Sequence, residues 1–150
     1  MTATSADAQA LAESVVRDML AHDAFSKWLG VELVAIAPGR CTLRMTVRPD
    51  MVNGFGVSHG GITYSLADSA LAFASNTNGR VTVSIENSIG YPVAVHPGNI
   101  LTAEATELSA ANRIAFYMVT VRNEASVTVA VFRGTVYRTR QDHASRESVS

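Results

Sequence analysis

The chain has 150 residues, which suits one domain with a substantial core. Its net charge is -1, from 12 basic and 13 acidic side chains, so no basic field offers itself to nucleic acid or to an anionic membrane. Hydrophobic residues make up 47% and charged residues 17%, the balance of a compact protein with surface to hide against other copies of itself.

Residues 1–22 lack the basic start, apolar run and small-residue cleavage site of a secretory signal, which makes a cytoplasmic location the expectation. Met1 to Ala8 is small and polar and reads as a mobile start. Leu11, Val15, Val16, Met19 and Leu20 then fall at helical spacing, predicting a short amphipathic helix. A further turn from Phe25 to Leu29 ends at Gly30, with Trp28 expected as a packing anchor. Residues 31–37 and 40–48 read as strands joined by the turn Pro38-Gly39. In the second, Cys41, Leu43, Met45 and Val47 alternate with polar residues, so one face is buried. Cys41, the only cysteine, therefore reads as core rather than nucleophile, and a disulfide framework is excluded.

The loop from Asn53 to Gly61 holds four glycines in nine positions, so its backbone turns tightly and admits a ligand close by. A helix predicted over Gly60 to Asn76 follows, with Ser58 as its expected cap. Apolar and small residues occupy every side of it, the pattern of a helix surrounded by protein. Asp68 is its only charged residue, and a carboxylate in such a setting is costly unless it is paired or used. At the helix start the amides of Gly60 and Gly61 have no intrahelical acceptor and lie at the positive end of the dipole, where they can hold a developing oxyanion. After Gly79 the period returns to two. Residues 80–91, 99–108, 113–122 and 127–138 read as strands, and 141–150 as a disordered end.

Helical geometry separates these two chemical features. Gly60 and Asp68 are eight residues apart, ~12 Å along the axis, so they cannot touch one carbonyl. His59 and Asp68 fall on roughly opposite sides of the helix, at ~100° per residue, and form no dyad. A two-fold arrangement that pairs the helix start of one subunit with the carboxylate of another resolves the problem, and predicts a homodimer as the smallest active unit. The seventeen-residue helix would be ~26 Å long and the strands ~30–37 Å, so a curved antiparallel sheet of six strands can wrap the helix along its length, an α+β fold.

At Asn53-Gly54, His59-Gly60-Gly61, Ser65-Leu66-Ala67-Asp68 and Phe132-Arg133-Gly134, over residues 25–137, the chain resembles the hotdog-fold acyl-CoA thioesterases of the PaaI type, associated with phenylacetate degradation. The resemblance implies that the Gly60 amide polarises the thioester carbonyl and that Asp68 is general base or nucleophile. It further implies that Asn53 orients water or substrate, that His59 stands at the helix entrance, and that Gly61, Ser69 and Ser84 meet the substrate. No cofactor or metal is implied, coenzyme A being part of the acyl-CoA substrate, and the expected assembly is a homotetramer.

Plainer readings stand beside these roles. Asp68 could bond to Ser65; His59 could simply fix the loop; Asn53-Gly54 is a common turn pair. Ser84 could belong to a polar strand face with Thr82, Glu86 and Ser88. For Arg133 an ion pair or subunit contact is favoured over a coenzyme A phosphate, and Phe55, Tyr64, Phe73 and Phe116 could line an aromatic pocket or the core. A Ser-His-Asp hydrolase fails because adjacent Ser58 and His59 would not readily bond and no Gly-x-Ser-x-Gly elbow occurs. His22, His59, His96 and His143 are scattered without metal-ligand spacing. The alternatives kept are a hotdog hydratase or dehydratase and a non-catalytic acyl-CoA binding module.

Overall fold

A computed structural model describes residues 4–146. Helix α1 (Ser5–His22) opens with a capping box, Thr4 and Asp7 bonding each other's backbone amides, so the expected mobile start gives way to helix from Ser5 onward. Residues 1–3 lie outside the described part. Helix α2 is Ala24–Leu29, and strands β1 (Glu32–Ala37) and β2 (Arg40–Thr46) form the hairpin around Pro38-Gly39. Helix α3 spans Gly60–Asn76, followed by β3 (Arg80–Gly90), β4 (Ile100–Ala110), β5 (Ile114–Arg122) and β6 (Thr128–Asp142). The last strand runs beyond 138, and a 3-10 turn over His143–Ser145 continues it, so 141–146 is ordered rather than disordered. Residues 147–150 lie outside the described part.

The six strands form one antiparallel sheet in the order β1-β2-β4-β5-β6-β3. Its alternating inner residues, among them Leu43 and Met45 of β2, Leu101 and Ala103 of β4, Val119 of β5 and Phe132 of β6, close on Leu66, Ala70, Leu71 and Phe73 of α3. Small side chains at Ala103, Ala105 and Ala115 let the sheet curve close to the helix, giving the wrapped architecture that the sequence predicted. Cys41 is buried in this core, and burial pushes its thiol up to about 12, which removes it as a nucleophile. Trp28 is not buried: it is 56% exposed, tilted against Phe25 with ring centroids 5.8 Å apart and covered by Arg48 at 5.2 Å. Among the described residues no helix is long and apolar enough to cross a membrane.

Two features position the functional region. The far end of α3 is tied to β3 by Asn76, whose side chain bonds both the amide and the carbonyl of Thr82. Along β3, a bulge between Ser84 and Glu86 shifts the pleat, so Ser84 and Asn87 face inward with Val136 and Gly134, while Glu86 and Ser88 face outward with Thr135 and Arg133. The expected polar row of Thr82, Ser84, Glu86 and Ser88 is thereby split across the two faces of the sheet.

Candidate active site

The glycine-rich loop is fixed before the helix begins. Val52 and Ser58 form a bridge, Asn53 donates its amide to Val57 and accepts from Gly56, and the Asn53 side-chain oxygen accepts the Phe55 amide at 2.9 Å. Asn53 therefore does build the turn, and only its side-chain amide donors are left for a ligand. Gly56 has a φ of 76°, the left-handed region in which a side chain would be strained. Ser58 is buried and its amide bonds Val95, so it does not cap α3.

The cap is His59. Its Nδ1 accepts the Gly61 amide at 2.9 Å and its carbonyl accepts the Ile62 amide. Of the amides at the helix start, Gly61 and Ile62 are thus occupied, while the Gly60 amide donates to no group among the described residues. Of the two helix-start glycines, only Gly60 keeps an amide free to meet a ligand, while the Gly61 amide closes onto His59. Tyr91 stands over this point, its hydroxyl donating to the Gly60 carbonyl at 2.8 Å.

Two helical turns further on, Asp68 is half-buried beside β3. Ser65 does not reach it, donating instead to the Gly61 carbonyl at 2.7 Å. Its partner is Asn87, whose Nδ2 donates to Asp68 Oδ1 at 3.2 Å. Burial raises the proton affinity of Asp68 above the ordinary carboxylate value and the Asn87 bond opposes that rise. The same Nδ2 lies 3.1 Å from the Tyr64 hydroxyl and 3.4 Å from Ser84 Oγ. Ser84 thus joins the Asp68 cluster through Asn87 rather than directly. Ser69 does not join it: its Oγ lies 3.0 Å from Ser26 Oγ on α2.

The structure gathers Tyr64, Asp68, Ser84 and Asn87, and keeps them in this chain a helix-length step of ~12 Å from Gly60. Of the aromatic candidates only Tyr64 is here, edge-on to Phe132 with centroids 5.3 Å apart. Phe73 is core, Phe55 is 92% exposed on the loop, and Phe116 lies on the outer sheet face. Arg133 is also on the outer face, opposite Ser88, with no ion pair among the described residues. Asn87 and Tyr91 were not singled out from sequence; the bulge hid the first, since strict alternation puts residue 87 on the other face from residue 84.

A carboxylate of raised basicity, a free helix-start amide and a lining of neutral hydroxyl and amide groups are the parts of an acyl-transfer site. A family model described as the thioesterase superfamily matches residues 55–130. The chain belongs to the thioesterase superfamily. Acyl-coenzyme A thioesterase PaaI of Escherichia coli is 34% identical over 120 residues, covering 80% of this chain and 86% of that protein. Human acyl-coenzyme A thioesterase 13 is 31% identical over 115 residues, covering 75% of this chain and 82% of its own. The solved structure of E. coli PaaI, from the phenylacetic acid degradation operon, superposes with a TM-score of 0.88 at 31% identity, covering 89% of this chain and 97% of that one. The fold is that of the PaaI-type hotdog thioesterases, and the chain is a thioester hydrolase.

Proposed function

We propose that this thioesterase hydrolyses acyl-CoA to free acid and coenzyme A, with aryl-acetyl groups such as phenylacetyl or hydroxylated phenylacetyl as its acyl class. The observation that carries the reading is the free Gly60 amide on the same helix as a desolvated Asp68, two halves of one reaction that a single copy holds apart. The names of the relatives support the coenzyme A thioester, and the operon of E. coli PaaI supports the aryl-acetyl group.

In this reading the site is completed by a second copy. Among the described residues the outer edge of β3 pairs with no strand, and it carries exposed Val83 and Ile85, an edge suited to meeting its like across a two-fold axis. The thioester carbonyl sits on the Gly60 amide of one subunit. Asp68 of the other takes a proton from water, hydroxide adds to the carbonyl carbon, and the carbonyl electrons move onto the oxygen held by Gly60. Collapse expels the coenzyme A thiolate, which takes up a proton. Direct attack by Asp68, giving a mixed anhydride, uses the same geometry, and oxygen-18 from solvent entering Asp68 in a single turnover distinguishes it. Asn53 and Ser84 orient water and substrate, and His59 and Gly61 hold the loop. No cofactor enters, and two such dimers make the proposed homotetramer, which light scattering checks.

Thiol release from phenylacetyl-CoA tests the reading. Asp68→Asn and Asp68→Ala are expected to lose at least about two decades of kcat while remaining folded. Near-normal release by either variant overturns it.

A further inference from the structure

Asn87 sits directly after the bulge of β3, and the two ends of its side-chain amide meet opposite circumstances. The Nδ2 end faces three acceptors, Tyr64 Oη, Asp68 Oδ1 and Ser84 Oγ. The Oδ1 end is buried and accepts no hydrogen bond among the described residues. An amide so placed has an alternative, the turned-over orientation. That alternative sets its carbonyl oxygen against the Asp68 carboxylate, acceptor facing acceptor. The orphaned oxygen is therefore tolerated for the sake of what the other end does.

The space behind Asn87 depends on a glycine across the sheet. Gly134 of β6 pairs opposite it, and a Cβ at Gly134 would stand 3.0 Å from Asn87 Oδ1 and 2.5 Å from Leu71 Cδ2. Only a glycine lets the strand, the helix and the amide come this close.

We propose that Asn87 is the positioning residue of the Asp68 site: braced from behind by Gly134, its amide aims Oδ1 of Asp68 and keeps that carboxylate in its charged, proton-accepting form. The proposal rests on the reading of Asp68 as the acidic group of the reaction. No cation replaces Asn87 in this role among the described residues. Tyr64 is the ionisable neighbour on α3. On β3, Glu86 faces outward, as does Arg133 on β6. Tyr91 is engaged with Gly60, and Tyr117 of β5 donates to Glu107, which Arg138 of β6 also binds. On α2, Asp23 bonds Ser26. A neutral donor suits a base better than a cation does: it stabilises the charge enough to keep the carboxylate ionised without cancelling the basicity that burial confers. With two N–H groups for three acceptors, Asn87 also leaves the hydroxyl protons of Tyr64 and Ser84 free to point elsewhere.

The test uses the full chain carrying Asn87→Ala, Asn87→Ser and Asn87→Asp, with two readouts. The first is the pH dependence of kcat/KM with phenylacetyl-CoA; the second is the titration of the Asp68 carboxyl carbon by carbon-13 NMR, assigned by difference from Asp68→Asn. In Asn87→Ala both midpoints are expected to rise by about one pH unit or more, with kcat near neutral pH falling about tenfold and KM changing much less. Asn87→Ser, which keeps a donor, is expected to fall between Asn87→Ala and wild type, and Asn87→Asp to raise the midpoints furthest through like charge. If Asn87→Ala or Asn87→Ser folds and the carbon-13 midpoint stays within about 0.3 pH unit of wild type, the proposal is overturned whatever happens to melting temperature or rate. A shifted carbon-13 midpoint in a protein whose wild type releases no thiol from acyl-CoA sustains the positioning of Asp68 and overturns only the proposed substrate.

Discussion

The Gly61 amide donates to Nδ1 of His59 across 2.9 Å, so one ring nitrogen of the histidine that enters α3 is spent on closing the helix. That bond requires Nδ1 to be the unprotonated nitrogen of the ring. His59→Ala is expected to lower stability by about 1 kcal/mol through loss of the cap. His59→Asn, which supplies an oxygen at the same point, is expected to recover most of that and to keep kcat within about threefold of wild type. Urea melts and thiol-release rates on the two variants check both.

Asp68 makes a different trade. Its raised proton affinity in the fold means that, above the ordinary value of 3.8, the folded chain binds more protons at this site than the unfolded one does. Its contribution to stability therefore declines as pH rises from 3.8 through the folded value. Asp68→Asn is expected to be as stable as wild type at neutral pH or more so, while losing turnover, and denaturation at two pH values measures the difference.

Gly134 is expected to tolerate no side chain without rearrangement. The clash that a methyl would make with Leu71 and Asn87 predicts a loss of about 1–3 kcal/mol for Gly134→Ala. Trimming Leu71 to Val in the same chain is expected to recover part of it, which a double-mutant cycle quantifies.

The turn after β6 carries a second titrating contact. His143 Nε2 lies 2.7 Å from Asn76 Oδ1, and its proton affinity is lowered, first by burial and then by Arg146. The unfolded chain then binds more protons here just below 6.5, so stability falls as pH drops from 6.5 toward the folded value. His143→Gln is expected to flatten that slope in thermal melts taken between about pH 6.5 and 5.

The parts of this fold that follow strict periodicity were legible in the sequence. The all-round apolar helix, its lone carboxylate and the two-residue alternation after Gly79 yielded the six-stranded wrap and the separation of Gly60 from Asp68. What periodicity concealed was local chemistry. A single bulge after Ser84 moved Asn87 onto the inner face and Glu86 off it. His59 took the capping place that Ser58 was expected to fill, because the Ser58 amide is drawn to Val95 and the residue is buried there. Ser69, adjacent to Asp68 in sequence, turned toward Ser26, as the ~100° step of a helix requires of consecutive residues.

The place of β6 in the sheet bears on how the chain folds. β3 precedes β4 and β5 in the chain yet, among the described residues, pairs only with β6, which follows them and lies between β3 and β5. Until β6 is in place, the wall carrying Ser84 and Asn87 lacks its strand partner, although the Asn76–Thr82 bonds join its start to α3. Completion of the wall beside α3 therefore waits on a contact between segments far apart in the chain, and a chain truncated before residue 128 would present α3 uncovered along one flank.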